Sequence, residues 1–281
     1  MTELSVDVSP LAATIAAIDA VAADVRATSN KLDTAYFLHR PRYERNISRI
    51  QELCPLRGRI LDVGSHYLHT SCALALMGYS VTGIDVSAFS QSEVVRRRAK
   101  TFGVENITID NLALGDFLAD RTDAYDLVLF SEILEHITFN PVLFWNRIYH
   151  LLRPGGCIFI TTPNALTPWK IMSTLKRVLF LQGVGVTVPG IFNTVTYGHH
   201  WKEYSINEVR QYFPLLTKDF EVDVSTYHYR SDVTGPASLK TMTRRVAGSI
   251  GKMLPWFRDE LDIVVRLKAR TGWLQESPRF I

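Results

Sequence analysis

The stretch RILDVGSHYLHTSCALALMGYSVTGIDVS, residues 59–87, decides the fold. Arg59 to Val63 is a short apolar run broken by Gly64, and Ser80 to Ile84 is another that ends on Asp85, with an apolar helix-like segment from Ser71 to Met77 between them. Strand, tight turn, helix and second strand make a βαβ unit. Gly64 has no Cβ, so the backbone can bend sharply after the first strand, and the next helix presents unpaired N–H groups at its start. Asp85 follows Asp62 by 85 − 62 = 23 residues, close to the ~20 expected for a carboxylate that accepts hydrogen bonds from ribose hydroxyls. The unit therefore implies a ribose-bearing cofactor.

A dinucleotide site would need Gly-x-Gly-x-x-Gly, and after Gly64 the chain reads Ser65, His66, Tyr67, Leu68, so a pyrophosphate has no glycine-lined cradle. Leu61-Asp62-Val63-Gly64 and Gly83-Ile84-Asp85-Val86-Ser87 instead resemble motifs I and II of the class I S-adenosylmethionine (SAM)-dependent methyltransferases. His66 and Leu68 replace that family's further loop glycines. Downstream, Asp126-Leu127-Val128, Glu132-x-x-Glu135-His136, Leu152-Arg153-Pro154-Gly155-Gly156 and Thr161-Thr162-Pro163-Asn164 follow in the family's order, so the resemblance covers residues 59–164. It implies a Rossmann-like, doubly wound α/β fold of seven strands, order 3-2-1-4-5-7-6 with strand 7 antiparallel, plus N-terminal helices and a lid insertion. SAM is the implied cofactor.

Composition sets the outer bounds. The 281 residues suit one large α/β domain with elaborations, and 47% hydrophobic against 21% charged residues supplies a sizeable core. A net charge of +3 does not by itself argue for nucleic acid. Cys54, Cys72 and Cys157 are widely spaced and odd in number, which suits buried thiols in a reducing compartment. Glu3 and Asp7 precede any apolar stretch, so no secretory signal is expected and a cytoplasmic location is. The longest apolar run, Val178 to Phe192, carries Gln182, glycines and Pro189 and is too short to span a bilayer.

Residues 1–55 read as an N-terminal helical cap: an amphipathic helix over 11–29 with Leu11, Ile15, Ile18 and Val21 at helical spacing, and a second helix after a break at Pro41, from Arg42 to Cys54. The methyltransferase domain proper is expected over 56–270. Within it, the Arg96-Arg97-Arg98 cluster of the helix after Asp85 reads as a solvated face. Strands are predicted at Asn106–Asp110, Tyr125–Phe130, Cys157–Thr162, Phe220–Ser225 and Leu261–Leu267, with a turn at Arg153–Gly156 and helices at Phe144–Leu152 and Ile206–Phe213. The last helix has Ser205 and Glu208 as a capping box. Residues 165–200 read as a lid or acceptor insertion, 232–258 as a basic excursion and 271–281 as a loosely packed tail. A basic and apolar lid suits an amphipathic acceptor, such as a lipid-linked sugar at a membrane surface, and serves a homodimer contact equally well.

Methyl transfer from a sulfonium is an in-line displacement, and a hydroxyl acceptor must also lose its proton, for which histidine is the usual base. His136, His199 and His200 are the candidates. For the cofactor the resemblance implies Asp62, Gly64, Ser65, His66, Asp85 and Val86 around the loop and ribose. It adds Asp110 or Asp116 for the adenine, and Ser131 and Glu132 for the far side of the pocket. Bacterial enzymes acting on sugars, glycolipids or polyketide-like acceptors share Gly198-His199-x-x-x-Glu203-Tyr204-Ser205 with this chain, so the expected reaction is O-methylation of a sugar-containing or other natural-product acceptor. Two alternatives remain beside it. One is a catalytically impaired partner subunit, favoured by His66 and Leu68. The other resembles the plant-type small-RNA 2′-O-methyltransferases, in which Glu132, Glu135, His136 and His200 would hold Mg²⁺ or Mn²⁺. No RNA-binding module or basic stripe supports a nucleic-acid partner.

Overall fold

A computed structural model describes residues 10–28, 31, 33–228, 242, 246, 248–251 and 253–276. Most of the excursion expected over 232–258, and the end of the tail, lie outside the described residues. One seven-stranded sheet runs in the order β3-β2-β1-β4-β5-β7-β6, as the resemblance implied. The strands are β1 (Arg59–Val63), β2 (Ser80–Asp85), β3 (Glu105–Thr108), β4 (Tyr125–Ser131), β5 (Leu152–Pro163), β6 (Phe220–Tyr227) and β7 (Glu260–Leu267). β1, β2 and β3 pair in parallel, and β7 pairs antiparallel with both β5 and β6. The chain resolves into two compact units. The first holds residues up to Asn111 and Ala124–Val128; the second holds Leu112–Asp123 and everything from Leu129 onward.

In the first unit, α1 (Pro10–Ala27) packs on α2 (Tyr36–Leu53) and on α3 (His69–Leu76). Ile18, Val21 and Val25 of α1 and Ile47 and Ile50 of α2 are fully buried. The break expected at Pro41 does not occur, because α2 starts at Tyr36 and carries Pro41 inside it. Proline there removes one backbone donor. Contacts on both sides of Pro41 hold the helix: the buried Tyr36 stacks within α2 on Tyr43 with ring centroids 5.2 Å apart, and its hydroxyl donates to the Ile18 carbonyl of α1 at 2.8 Å.

The arginine cluster is the solvated face that the sequence suggested at Arg96 and Arg97 but not at Arg98. It lies on α5 (Glu93–Phe102), which follows the short α4 (Ser87–Ser90). Arg96 and Arg97 are exposed, but Arg98 is fully buried. Its guanidinium forks onto both oxygens of the equally buried Asp33 at 2.9 Å each, while Nε reaches Asp24 of α1 at 2.7 Å and Nη1 reaches the carbonyl of Tyr67 at 2.7 Å. Asp33 also faces Nε2 of His69 at 2.7 Å and accepts from Thr28. Burial pushes the Asp33 carboxyl up, yet these donors together hold it well below the usual carboxylate range. One cation thus fastens the N-terminal helices to the loop after β1.

In the second unit, α6 (Val142–Leu151) buries Phe144, Trp145 and Ile148. α9 (Ile206–Leu216) has the expected capping box, in which the Ser205 hydroxyl accepts from Glu208 N and the Glu208 side chain accepts from Ser205 N. β5 begins five residues early, at Leu152, and takes in the predicted turn; Gly155, at φ +83°, marks where the strand bends. β3 is shorter than expected and leaves Asp110 beyond its end. The start of the tail is tied down as well. Asp219 accepts from Thr271 N at 2.7 Å, and Leu274 N donates to the Leu216 carbonyl at 2.8 Å. The three cysteines are free and buried.

Arg98→Met leaves Asp33 buried without its main counter-charge and should cost about 3–5 kcal/mol in denaturant unfolding, whereas Arg96→Ala on the exposed face should stay within about 0.5 kcal/mol. Because the native pKa of Asp33 is depressed, its contribution is complete above the ordinary carboxylate range and is lost as pH falls through the native value. The penalty of Arg98→Met should therefore shrink in acid.

Candidate active site

Each unit gathers its own set of candidate side chains. In the first, the loop after β1 turns back onto the end of β2: Gly64 N and Ser65 N both donate to the Ile84 carbonyl, at 2.9 and 3.2 Å. Gly64 takes φ +71°, and the positions where the family's further glycines would stand keep left-handed backbone without glycine, His66 at φ +48° and Leu68 at φ +60°. Side chains at such angles are strained. The loop still closes, because Arg98 holds the Tyr67 carbonyl and the Asp85 carboxylate accepts from His66 N at 2.6 Å. Gly83 is required by that closeness, since a Cβ there would stand 2.8 Å from Leu68 and 2.9 Å from the Ser65 hydroxyl.

Asp85 also accepts from Val86 N at 2.7 Å. A carboxylate offers about four lone-pair sites, so two stay available for a vicinal diol. Burial raises the Asp85 pKa, against the pull of these two backbone donors. Burial also lifts Asp62 to about 7; the Ser71 hydroxyl, donating at 2.5 Å, opposes this and the charge of Asp85 adds to it. Asp110 is exposed and accepts from Ser87 N at 2.7 Å, which places it at the turn just beyond Asp85. Asp116 lies in the other unit, exposed, after the short turn Leu112–Leu114. Phe89, which the sequence reading passed over, stands 4.3 Å from the His66 ring.

The second unit brings the three candidate histidines together. Ser131 ends β4 and shares a hydrogen bond with Thr161 at 3.0 Å; Glu132 follows at φ +57°, its N–H donating to the Thr161 carbonyl. Glu135 is buried and accepts from the Thr162 hydroxyl at 2.8 Å. Its backbone carbonyl accepts from Trp201 N at 2.8 Å, so the stretch 199–203 is held against it. His136 donates through Nδ1 to the His199 carbonyl at 2.9 Å, which leaves Nε2 with a lone pair. The His136 and His200 rings meet at right angles with centroids 4.9 Å apart. His200 contacts Glu203 at 2.9 Å, and Glu203 contacts Lys170 at 2.6 Å, a partner the sequence reading did not single out.

Their environments separate the protonation states. Burial and the neighbouring His200 lower His136, while the hydrogen bond to Glu203 raises His200. Burial, reinforced by Glu132, lifts Glu135 to about 7. Glu135, His136 and His200 offer ligand atoms that all lie within 4.8 Å of one another; Glu132, the fourth residue of the metal alternative, is not in that group.

A seven-stranded sheet with a tight loop after β1 and an acid ending β2 has the layout of a nucleoside-binding α/β fold. The chain matches the methyltransferase-domain family over residues 36–213, and it belongs to that family. The fold is that of the class I SAM-dependent methyltransferases. It resembles such an enzyme from Thermotoga maritima at 13% identity and a TM-score of 0.51, covering 89% of this chain and 100% of that one. It also resembles one from Methanosarcina mazei at 17% identity and a TM-score of 0.50, covering 78% and 97%. Among sequence relatives, the ubiquinone biosynthesis O-methyltransferase of Xylella fastidiosa is 36% identical over 119 residues, 41% of this chain and 46% of that protein. The mitochondrial counterpart from Rattus norvegicus is 31% identical over 139 residues, 48% and 38%. The matched stretch thus spans less than half the length of these relatives.

The pKa of Glu135 gives a pH test. An acid whose native pKa is raised stabilises the fold below its unfolded pKa and loses that contribution as pH rises through about 7. Glu135→Gln should match the parent in urea unfolding near pH 4, exceed it increasingly as pH rises toward 7, and keep a constant margin above that.

Proposed function

We propose that the chain transfers a methyl group from SAM to a hydroxyl of a small-molecule acceptor, with His136 as the general base. The observation that carries this is the state of His136. Its Nδ1 proton is committed to the His199 carbonyl, and its pKa is held down, so Nε2 is an unprotonated acceptor near neutral pH. His200, held toward the charged form by Glu203, is the weaker base of the pair and sets the field around His136. His199 acts through its backbone carbonyl.

The first unit fits the cofactor. Asp85 would take the ribose hydroxyls on its two remaining acceptor sites, Asp110 the adenine amino group, and Gly64, Ser65 and His66 would line the approach, with Asp62 behind them and Val86 beside the base. SAM would supply an electrophilic methyl group on a sulfonium, and the neutral thioether left when the C–S bond breaks needs no acid to depart. Ser131 and Glu132 keep their proposed place at the far side of the cofactor on the family pattern alone. The relatives' names carry a ubiquinone-pathway substrate, which favours a ring hydroxyl over the sugar-containing acceptor expected from sequence.

A second reading has its own observation in the clustered ligand atoms of Glu135, His136 and His200, which would seat a divalent cation and lower the acceptor hydroxyl's pKa. With labelled SAM and a panel of phenolic and glycoside acceptors, His136→Ala should lower turnover about 10²- to 10⁴-fold while binding of S-adenosylhomocysteine is unchanged. Metal-free turnover that survives a chelator supports the base mechanism. Mn²⁺-dependent turnover, with Mn²⁺ binding lost in Glu135→Ala, would replace it by the metal mechanism.

A further inference from the structure

We infer that the segment between β5 and α9 is a docking surface for an anionic lipid bilayer, lying in its interface plane. This goes beyond the methyl-transfer reading and does not rest on it. The segment forms α7 (Pro168–Leu179) and α8 (Val188–Asn193), and neither helix has a buried residue. α7 is well specified locally: the Thr167 hydroxyl accepts from Lys170 N, Pro168 opens the first turn, and Lys176 and Arg177 stand in the last. Yet Ile171, Leu175, Val178 and Leu179 recur at i, i+4, i+7 and i+8 and line one exposed face. Apolar side chains continue past its end, with Phe180 69% and Leu181 96% exposed, and Phe192 of α8 81% exposed. A short helix with an uncovered apolar face is not stable on its own account in water, and so contiguous a patch marks a contact site.

Charge names the occupant. From Ala165 to Lys202 the chain contains no Asp or Glu, although the whole sequence has 28 of them. The cations present are Lys170, Lys176, Arg177 and Lys202. Lys170 and Lys202 are paired with Glu203 and Glu208, while Lys176 is exposed at the edge of the apolar face. A lysine so placed lays its stem along the apolar surface and its ammonium at the level of lipid headgroups. A second copy of the chain fits less well, because a two-fold contact would set this face against itself with no carboxylate in the segment to meet the cations. No helix among the described residues is long and apolar enough to cross a membrane, so the contact is interfacial.

The test is sedimentation with vesicles of phosphatidylcholine alone and of phosphatidylcholine mixed with phosphatidylglycerol, at low and high salt, with oligomeric state followed by light scattering. The full chain should sediment with the anionic vesicles and be released by salt. Lys176→Glu should weaken that binding about tenfold and Lys176→Arg should restore it. The double variant Leu179→Ser, Phe180→Ser should abolish it, and its unfolding midpoint should not move, because neither side chain is buried. Three results overturn the proposal: no binding to anionic vesicles, binding indifferent to these variants, or a dimer that the double variant converts to monomer.

Discussion

The first unit depends on one buried cation. Arg98 is fully enclosed, and its guanidinium meets Asp24 of α1, Asp33 before α2 and the carbonyl of Tyr67 in the loop that follows β1. A guanidinium in that position is costly to desolvate unless each donor finds a partner, and here the partners come from three separate segments. The N-terminal helices are therefore more than a cover for the domain edge. They supply the carboxylates without which the cation could not be buried, and the cation fixes the loop in which the cofactor would sit.

That arrangement explains how the loop manages without the family's later glycines. His66 and Leu68 take left-handed backbone angles that glycine would accept freely. The cost is of the order of 1 kcal/mol or more for each residue, and it is borne by fixed contacts on either side: Asp85 accepts from the His66 amide, Arg98 donates to the Tyr67 carbonyl, and Leu68 is buried in the gap left by Gly83. His66 and Leu68 thus hold backbone angles that glycine would also adopt, and they do not by themselves argue for an impaired subunit.

Much of this was legible in the sequence. The strand order follows from the family resemblance, and the capping box at Ser205 and Glu208 and the acid ending β2 follow from local patterns that the fold respects. What failed depended on distant partners. The burial of Arg98 cannot be read from its neighbours in sequence, because its partners Asp33 and Asp24 are 65 and 74 residues away. Pro41 looked like a break because the stacking of Tyr36 on Tyr43 and its bond to Ile18 cannot be read from spacing. Asp110 and Asp116 could not be separated by position, and it is the hydrogen bond from Ser87 that sets Asp110 beside the end of β2. The three histidines stand out by residue type, but the carbonyl contact that selects one tautomer of His136 leaves no mark in the sequence.

The reading of this chain as a methyltransferase turns on whether a loop with one glycine, held by Arg98 and Asp85, makes a SAM site. Calorimetric titration of the purified chain with S-adenosylhomocysteine, and separately with NADH, tests it most directly. Micromolar binding of S-adenosylhomocysteine with no heat from NADH is the predicted result. No binding of S-adenosylhomocysteine would mean that His66 and Leu68 close the site, and the chain would then be a methyltransferase fold without its cofactor.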